Sequence, residues 1–131
     1  MESRHLQHWP KQVPRHLTVP ETSLYANLEI SAQRFPEKTA TVFYDARITY
    51  RDLKLQVELL AGFLQNRCGV RKGDRVILQM QNSPQFIIAY YAILRADAVV
   101  LPVSPMHVTD ELVHYFDDSR ASTIIARVER Q

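Results

Sequence analysis

The stretch GVRKGDRVILQMQNSPQF, residues 69–86, decides how the chain is read. Two glycines and a lysine suggest a phosphate-binding loop. A Walker-type loop needs G-x-x-x-x-G-K-[ST], so that its amides and lysine surround the phosphates. Here three residues separate Gly69 from Gly73, and Asp74 stands where the Lys-Ser/Thr pair is required. An aspartate repels an anion. The glycines also precede the apolar run RVILQM, whereas phosphate loops join the C-terminal end of a strand to a helix. Lys72-Gly73-Asp74 therefore reads as a tight turn feeding a strand. The continuous apolar centre of RVILQM suits a sheet covered on both faces. Asn82 and Ser83 cap the next helix, and Pro84 takes its first position, where a missing donor costs nothing. That helix, PQFIIAYYAILRA, is apolar nearly all round and is expected to be buried.

Upstream, residues 1–21 carry Pro10, Pro14 and Pro20, and read as an extended arm rather than a helix. Trp9 and Leu17 are candidates to pin the arm to the domain. Its histidines, His5, His8 and His16, lack the Cys or carboxylate partners of a metal site, so a solvated arm is the better reading. Thr22 or Ser23 can cap a first helix with Leu24, Leu28 and Ala32 at helical spacing and Tyr25 alongside, stopped by Pro36. TATVFYDARITY reads as a hairpin turning at Asp45-Ala46. Thr49 and Asp52 have near-capping-box spacing ahead of a second helix. Its face is Leu53, Val57, Leu60, Ala61 and Leu64, and Gly69 suits its C-terminal left-handed position.

Downstream, AVVLPV is a strand, Thr109 can cap a short helix containing Leu112, Val113 and Phe116, and STIIA is a last strand. From residue 50 onward helix and strand alternate. The expected fold class is α/β, a hairpin plus right-handed parallel crossovers. Three such strands make a small sheet, so residues 22–131 read as an incomplete N-terminal part of a larger α/β domain.

The bulk numbers exclude several classes. Net charge is +2, too small to argue for nucleic acid. The longest apolar run, Phe86 to Leu94, is far short of the ~20 residues of a membrane span. The polar, basic N-terminus has no signal-peptide core, and a cytoplasmic location is expected. Cys68 is the single cysteine, which excludes an internal disulfide.

In an open α/β sheet, ligands bind beyond the C-terminal ends of the strands. Those ends are Gln79–Ser83 and Pro102–His107, whose polar residues are Asn82, Ser83, Ser104 and His107. Ser104 as nucleophile with His107 as base has no nucleophile elbow and no obvious orienting acid. Asp117-Asp118 are adjacent on a helix end and point apart. Cys68 lacks the positive helix end that activates thiols and reads as a small core or boundary residue. Tyr90 and Tyr91 read as core. Of the three glycines, Gly62, Gly69 and Gly73, none follows a strand. No residue is assigned to catalysis, cofactor or metal.

Several short motifs occur in order: Thr49-Tyr50…Leu53, Gly69-Val70…Lys72-Gly73-Asp74-Arg75-Val76, Asn82-Ser83, the alanine-bearing helix, Pro102-Val103-Ser104-Pro105 and Glu111-Leu112. With them, residues 22–126 resemble the N-terminal region of the adenylate-forming (AMP-binding) superfamily. The lead-in is most similar to bacterial long- or medium-chain fatty acyl-CoA ligases. The resemblance implies a carboxylate substrate such as a fatty acid. It is activated by ATP to an acyl-adenylate and passed to the thiol of CoA, with magnesium offsetting phosphate charge. The family's Ser/Thr/Gly-rich phosphate loop, its later ribose-binding acid and its C-terminal lysine match nothing in these residues. This chain alone is therefore expected to be inactive and to bind no cofactor.

Two departures stand out. Asp97 occupies a position where the family usually has glycine, and Asp tolerates a left-handed turn better than most residues. Met106 stands where some relatives place an arginine that meets a CoA phosphate, which leaves His107 as the substitute. The rival readings are a non-catalytic scaffold or dimerisation module from a truncated paralogue, and an unrelated small nucleotide-binding α/β protein. An open apolar sheet edge is an association hazard, so a homodimer or aggregate is expected.

Overall fold

A computed structural model describes residues 4–127; the side chain of His5 and the last four residues of the expected domain lie outside the described residues. Helices α1, α2 and α3 begin where a local signal puts them. Ser23 caps α1 (Leu24–Arg34), its hydroxyl accepting from the Ala26 amide at 3.3 Å. Thr49 caps α2 (Tyr50–Asn66), accepting from the Asp52 amide at 3.1 Å and donating to the Asp52 carboxylate at 2.8 Å. The first two α2 amides, of Tyr50 and Arg51, donate to the carbonyls of Lys38 and Pro36. Ser83 caps α3 (Pro84–Arg95) with Pro84 at its start. Each such cap is worth about 1 kcal/mol.

Strands β1 (Thr39–Phe43) and β2 (Ala46–Thr49) form an antiparallel hairpin that is a sheet of its own. Its turn is Tyr44-Asp45, one residue earlier than the sequence suggests. Phe43 pairs with Ala46, and Tyr44 takes the left-handed position at φ 51°. Strands β3 (Arg75–Gln79), β4 (Val99–Val103) and β5 (Thr123–Ala126) form a second, all-parallel sheet in the order β4-β3-β5.

The turn into β3 has its residues where the dihedrals demand. The Asp74 amide donates to the Arg71 carbonyl at 3.0 Å, and Gly73 sits third in the turn at φ 85°, as a type II turn requires. The Asp74 carboxylate accepts from the Arg71 amide at 2.8 Å, so its charge closes the turn. Lys72 is a turn residue.

Helices α1, α2 and α3 pack together on one face of the parallel sheet. Val57, Leu64, Val76, Leu78, Ala92 and Ile93 are at most 2% exposed within that core. On α1 the buried residues are Tyr25, Leu28 and Ala32; Leu24 points outward. A short 3-10 helix, Arg4–His8, precedes α1 within the arm. Residues 9–20 are exposed; Trp9 bonds the Val13 carbonyl of the arm itself, and Leu17 is 86% exposed, so neither pins the arm to the domain.

Helix α4 (Thr109–Ser119) starts one residue earlier than a Thr109 cap would place it. Val108 is the cap position. Its side chain cannot accept a hydrogen bond, and Glu111 instead reaches back to the Val108 amide at 3.0 Å. None of its residues is fully buried.

Candidate functional site: the crevice between β3 and β4

The strand order locates the site. The β3–α3–β4 crossover moves the chain one way along the sheet, and β4–α4–β5 moves it back across β3. Right-handed crossovers of opposite direction use opposite faces. The loops leaving β3 and β4 therefore turn to opposite sides, and a crevice opens between these neighbours beyond their C-terminal ends.

Four residues, Gln79, Gln81, Pro105 and Arg127, line a polar cavity of about 240 Å³ there. Gln79 ends β3 and extends its side-chain amide to the His107 carbonyl at 3.4 Å, tying the two loops together. Arg127 donates to the Gln81 side chain at 3.4 Å.

The polar residues expected at this edge are present, but most already have structural partners. Ser83 is spent on the α3 cap. The Ser104 hydroxyl accepts from the Met106 amide at 3.2 Å, and the Ser104 carbonyl accepts from the His107 amide at the same distance. Asn82 is exposed. The His107 ring is occupied on both nitrogens, 2.9 Å from the Glu111 carboxylate and 3.4 Å from the Tyr115 hydroxyl. An orienting acid does therefore exist, in contrast to the sequence reading, yet it orients His107 toward Tyr115 and not toward Ser104. The spacing carries the signal: Glu111 and Tyr115, four apart, share one face of α4, and His107, four residues before Glu111, precedes the helix with its ring against that face. His107 bonding lowers the Glu111 carboxyl below its ordinary value of 4.5, and the Val108 amide lowers it further.

Met106 is 89% exposed. Asp117 and Asp118 are exposed. Cys68 is exposed, rather than the core or boundary residue expected of it: α2 has ended before it, and Gly69 turns the chain at φ 70°. Tyr90 and Tyr91 pack against the core, Tyr90 stacked on Phe86 at 6.2 Å.

The described residues do not fit a nucleotide-phosphate cradle. Gly69 and Gly73 stand at the N-terminal end of β3, opposite the crevice, and Gly62 lies inside α2. Among the described residues no three His, Cys, Asp or Glu side chains converge as a metal site would need. No described helix is long and apolar enough to cross a membrane.

Two apolar grooves flank the core. One, of about 480 Å³, runs between α2, α3 and β5 past Leu59, Leu60, Met80, Ile88 and Ile125. The other, of about 470 Å³, lies between β1 and the start of α3, and beside it the Thr41 hydroxyl is buried without a hydrogen-bond partner.

Comparison with known proteins gives the fold its family. The chain is 38% identical over 120 residues to a long-chain-fatty-acid–CoA ligase of Bacillus subtilis, a match spanning 92% of this chain and 21% of that protein. The chain thus spans about a fifth of the length of that relative. The N-terminal subdomain of Klebsiella oxytoca NpsA superposes with a TM-score of 0.75 at 29% identity, covering 83% of this chain and 28% of that one. An artificially fused adenylation–PCP di-domain from the same organism, NpsA-ThdA, gives 0.75 at 30% identity, covering 80% of this chain and 20% of its own. The sequence model of the AMP-binding enzymes matches residues 28–131, so the chain belongs to the AMP-binding enzyme family, as part of its N-terminal region.

Proposed function

We propose that the chain forms the N-terminal portion of an ATP-dependent long-chain fatty acyl-CoA ligase that works in the cytoplasm. Its reaction class is conversion of a fatty carboxylate, through its adenylate, to a CoA thioester. ATP and CoA are the co-substrates of the whole enzyme and magnesium its ion. The described residues are given no step in that chemistry. Their part is to build the α/β layer whose crevice between β3 and β4 forms one wall of the site. Residues 1–21 form an arm ahead of the domain that begins at residue 22.

The similarity to the Bacillus subtilis ligase over nearly the whole chain carries this reading. Pyrophosphate release by a chimera tests it: residues 28–126 replace the matching segment of that ligase, and fatty-acid-dependent release is the expected result. Isothermal titration with ATP tests the companion claim. No micromolar binding by the 131-residue chain is expected, and micromolar affinity would favour a small nucleotide-binding protein instead.

A second reading, a scaffold or dimerisation module, is favoured by one observation: among the described residues both edges of the parallel sheet, β4 and β5, are unpaired. The NpsA-ThdA likeness also keeps carrier-protein-linked adenylation open as a variant of the ligase reading.

A further inference from the structure

We propose that His107 is the positioning residue of the β3–β4 crevice, held as its Nδ1–H tautomer by Glu111 and Tyr115 so that the β4–α4 loop keeps one conformation over the cavity.

The ring lies between two groups of different kind. Glu111 Oε2 stands 2.9 Å from Nδ1 and also accepts the Val108 amide at 3.0 Å. An ionised carboxylate only accepts, so Nδ1 must carry a proton. That leaves Nε2 of the neutral ring as an acceptor, and the Tyr115 hydroxyl, 3.4 Å away, is the donor in reach. The Tyr115 ring adds an edge-on contact, with centroids 5.2 Å apart. The chain carboxylate–imidazole–phenol thus runs along one face of α4 and fixes the ring at the helix's own N-terminal end. The low position of the Glu111 carboxyl is consistent with these two donors.

The consequence for the crevice comes through the backbone. The His107 carbonyl receives the Gln79 side chain from the end of β3 at 3.4 Å, and the His107 amide donates to Ser104 at 3.2 Å. Fixing the ring therefore fixes the peptide that joins the β4 loop to the β3 loop. Gln79 lines the cavity directly, while His107 acts through it. Glu111 and Tyr115 on α4 are the titratable groups bonded to the ring, whereas the neutral Gln79 amide from β3 meets the His107 backbone carbonyl and not the ring.

The role as a crevice residue rests on the ligase reading of this edge, whereas the clamp itself can be measured without it. Nitrogen-15 NMR of the histidine rings in the 131-residue chain reads the tautomer directly. A solvated neutral imidazole favours the Nε2–H form, so a predominantly Nδ1–H signal from His107 is the expected result. Glu111→Gln should return the ring toward Nε2–H. His107→Ala should move the amide signals of residues 104–108 and the side-chain amide of Gln79. His107→Asn, which keeps a donor at the Nδ1 position, should restore much of that pattern. A wild-type ring in the Nε2–H form overturns the proposal without any variant having to fold. So does a His107→Ala chain whose loop and Gln79 signals coincide with wild type. A chimeric ligase without fatty-acid-dependent pyrophosphate release would instead contradict the ligase reading, and the tautomer would still decide the clamp.

Discussion

The amide of Gly73 donates to the carbonyl of Asp97 at 2.9 Å. This bond joins the turn that feeds β3 to the turn that feeds β4, and the Val99 amide closes the same corner on the Asp74 carbonyl at 2.8 Å. Both residues of the first bond have positive φ, 85° for Gly73 and 58° for Asp97. Asp97 follows the last turn of α3 in a Schellman arrangement: the Ala98 amide reaches the Ile93 carbonyl, and the Asp97 amide reaches Leu94.

Asp97 is accordingly a strained choice at a position that suits glycine. Asp97→Gly is expected to raise stability by about 0.5–1 kcal/mol, and Gly73→Ala to lower it by about 1 kcal/mol. The Gly73 cost is conformational, since nothing lies within 4 Å of an added Cβ. Urea denaturation of the two variants checks both signs.

Thr41 offers a gain of a different kind. Its hydroxyl is buried without a partner, beside the irregularity in the β1–β2 register between Thr39 and Thr41. Replacing an unsatisfied hydroxyl with a methyl of the same shape removes a desolvation cost. Thr41→Val should stabilise the chain by about 1 kcal/mol in the same denaturation experiment; a loss of stability would show that the hydroxyl is satisfied in solution.

Tyr25 predicts the response to alkali. Burial, first, and then its bond to Glu58 at 3.1 Å and the nearby Glu29 charge push its phenol from 10.0 up to about 12, against the opposing pull of Arg95. The folded value lies above the ordinary one, so the stabilisation is complete below pH 10 and is lost as pH climbs toward 12. Phenolate absorbance should show one tyrosine titrating late, and Tyr25→Phe should abolish that step.

The sheet edges predict association. β5 presents Ile124 at 38% exposure on an unpaired edge, and β4 is unpaired on its outer side among the described residues. Exposed edges invite pairing. Light scattering of the 131-residue chain should show dimers or larger species at high concentration; a clean monomer would contradict this.

Local chemistry was the most legible layer of the sequence. Ser23, Thr49 and Ser83 cap where their side chains and spacing indicate, because a cap depends only on residues within one turn. The left-handed turn at Asp97 was legible only through the family resemblance, in which glycine usually takes that position. Choices between adjacent residues were less so. Helical spacing does not distinguish Leu24 from Tyr25, and tertiary contacts bury Tyr25, whose hydroxyl finds Glu58 on α2. The hairpin turn shifted by one because strand pairing, rather than residue preference, set it. The edge holding the candidate site was foreseen from strand direction. The β4-β3-β5 order that opens the crevice depends on crossover direction and is not written in any motif. The His107–Glu111–Tyr115 contact is present as spacing, but its histidine precedes α4 and belongs by sequence to the proline-bracketed loop.

On the proposed function, these residues build a wall of a ligase site whose reacting groups lie elsewhere in such an enzyme. Pyrophosphate release from ATP, with and without a long-chain fatty acid, tests it most directly when the 131-residue chain is compared with the Bacillus subtilis ligase carrying residues 28–126 as a replacement. Fatty-acid-dependent release by the chimera and none above blank by the chain alone is the expected result. Release by the isolated chain, or a folded chimera that releases none, would contradict it.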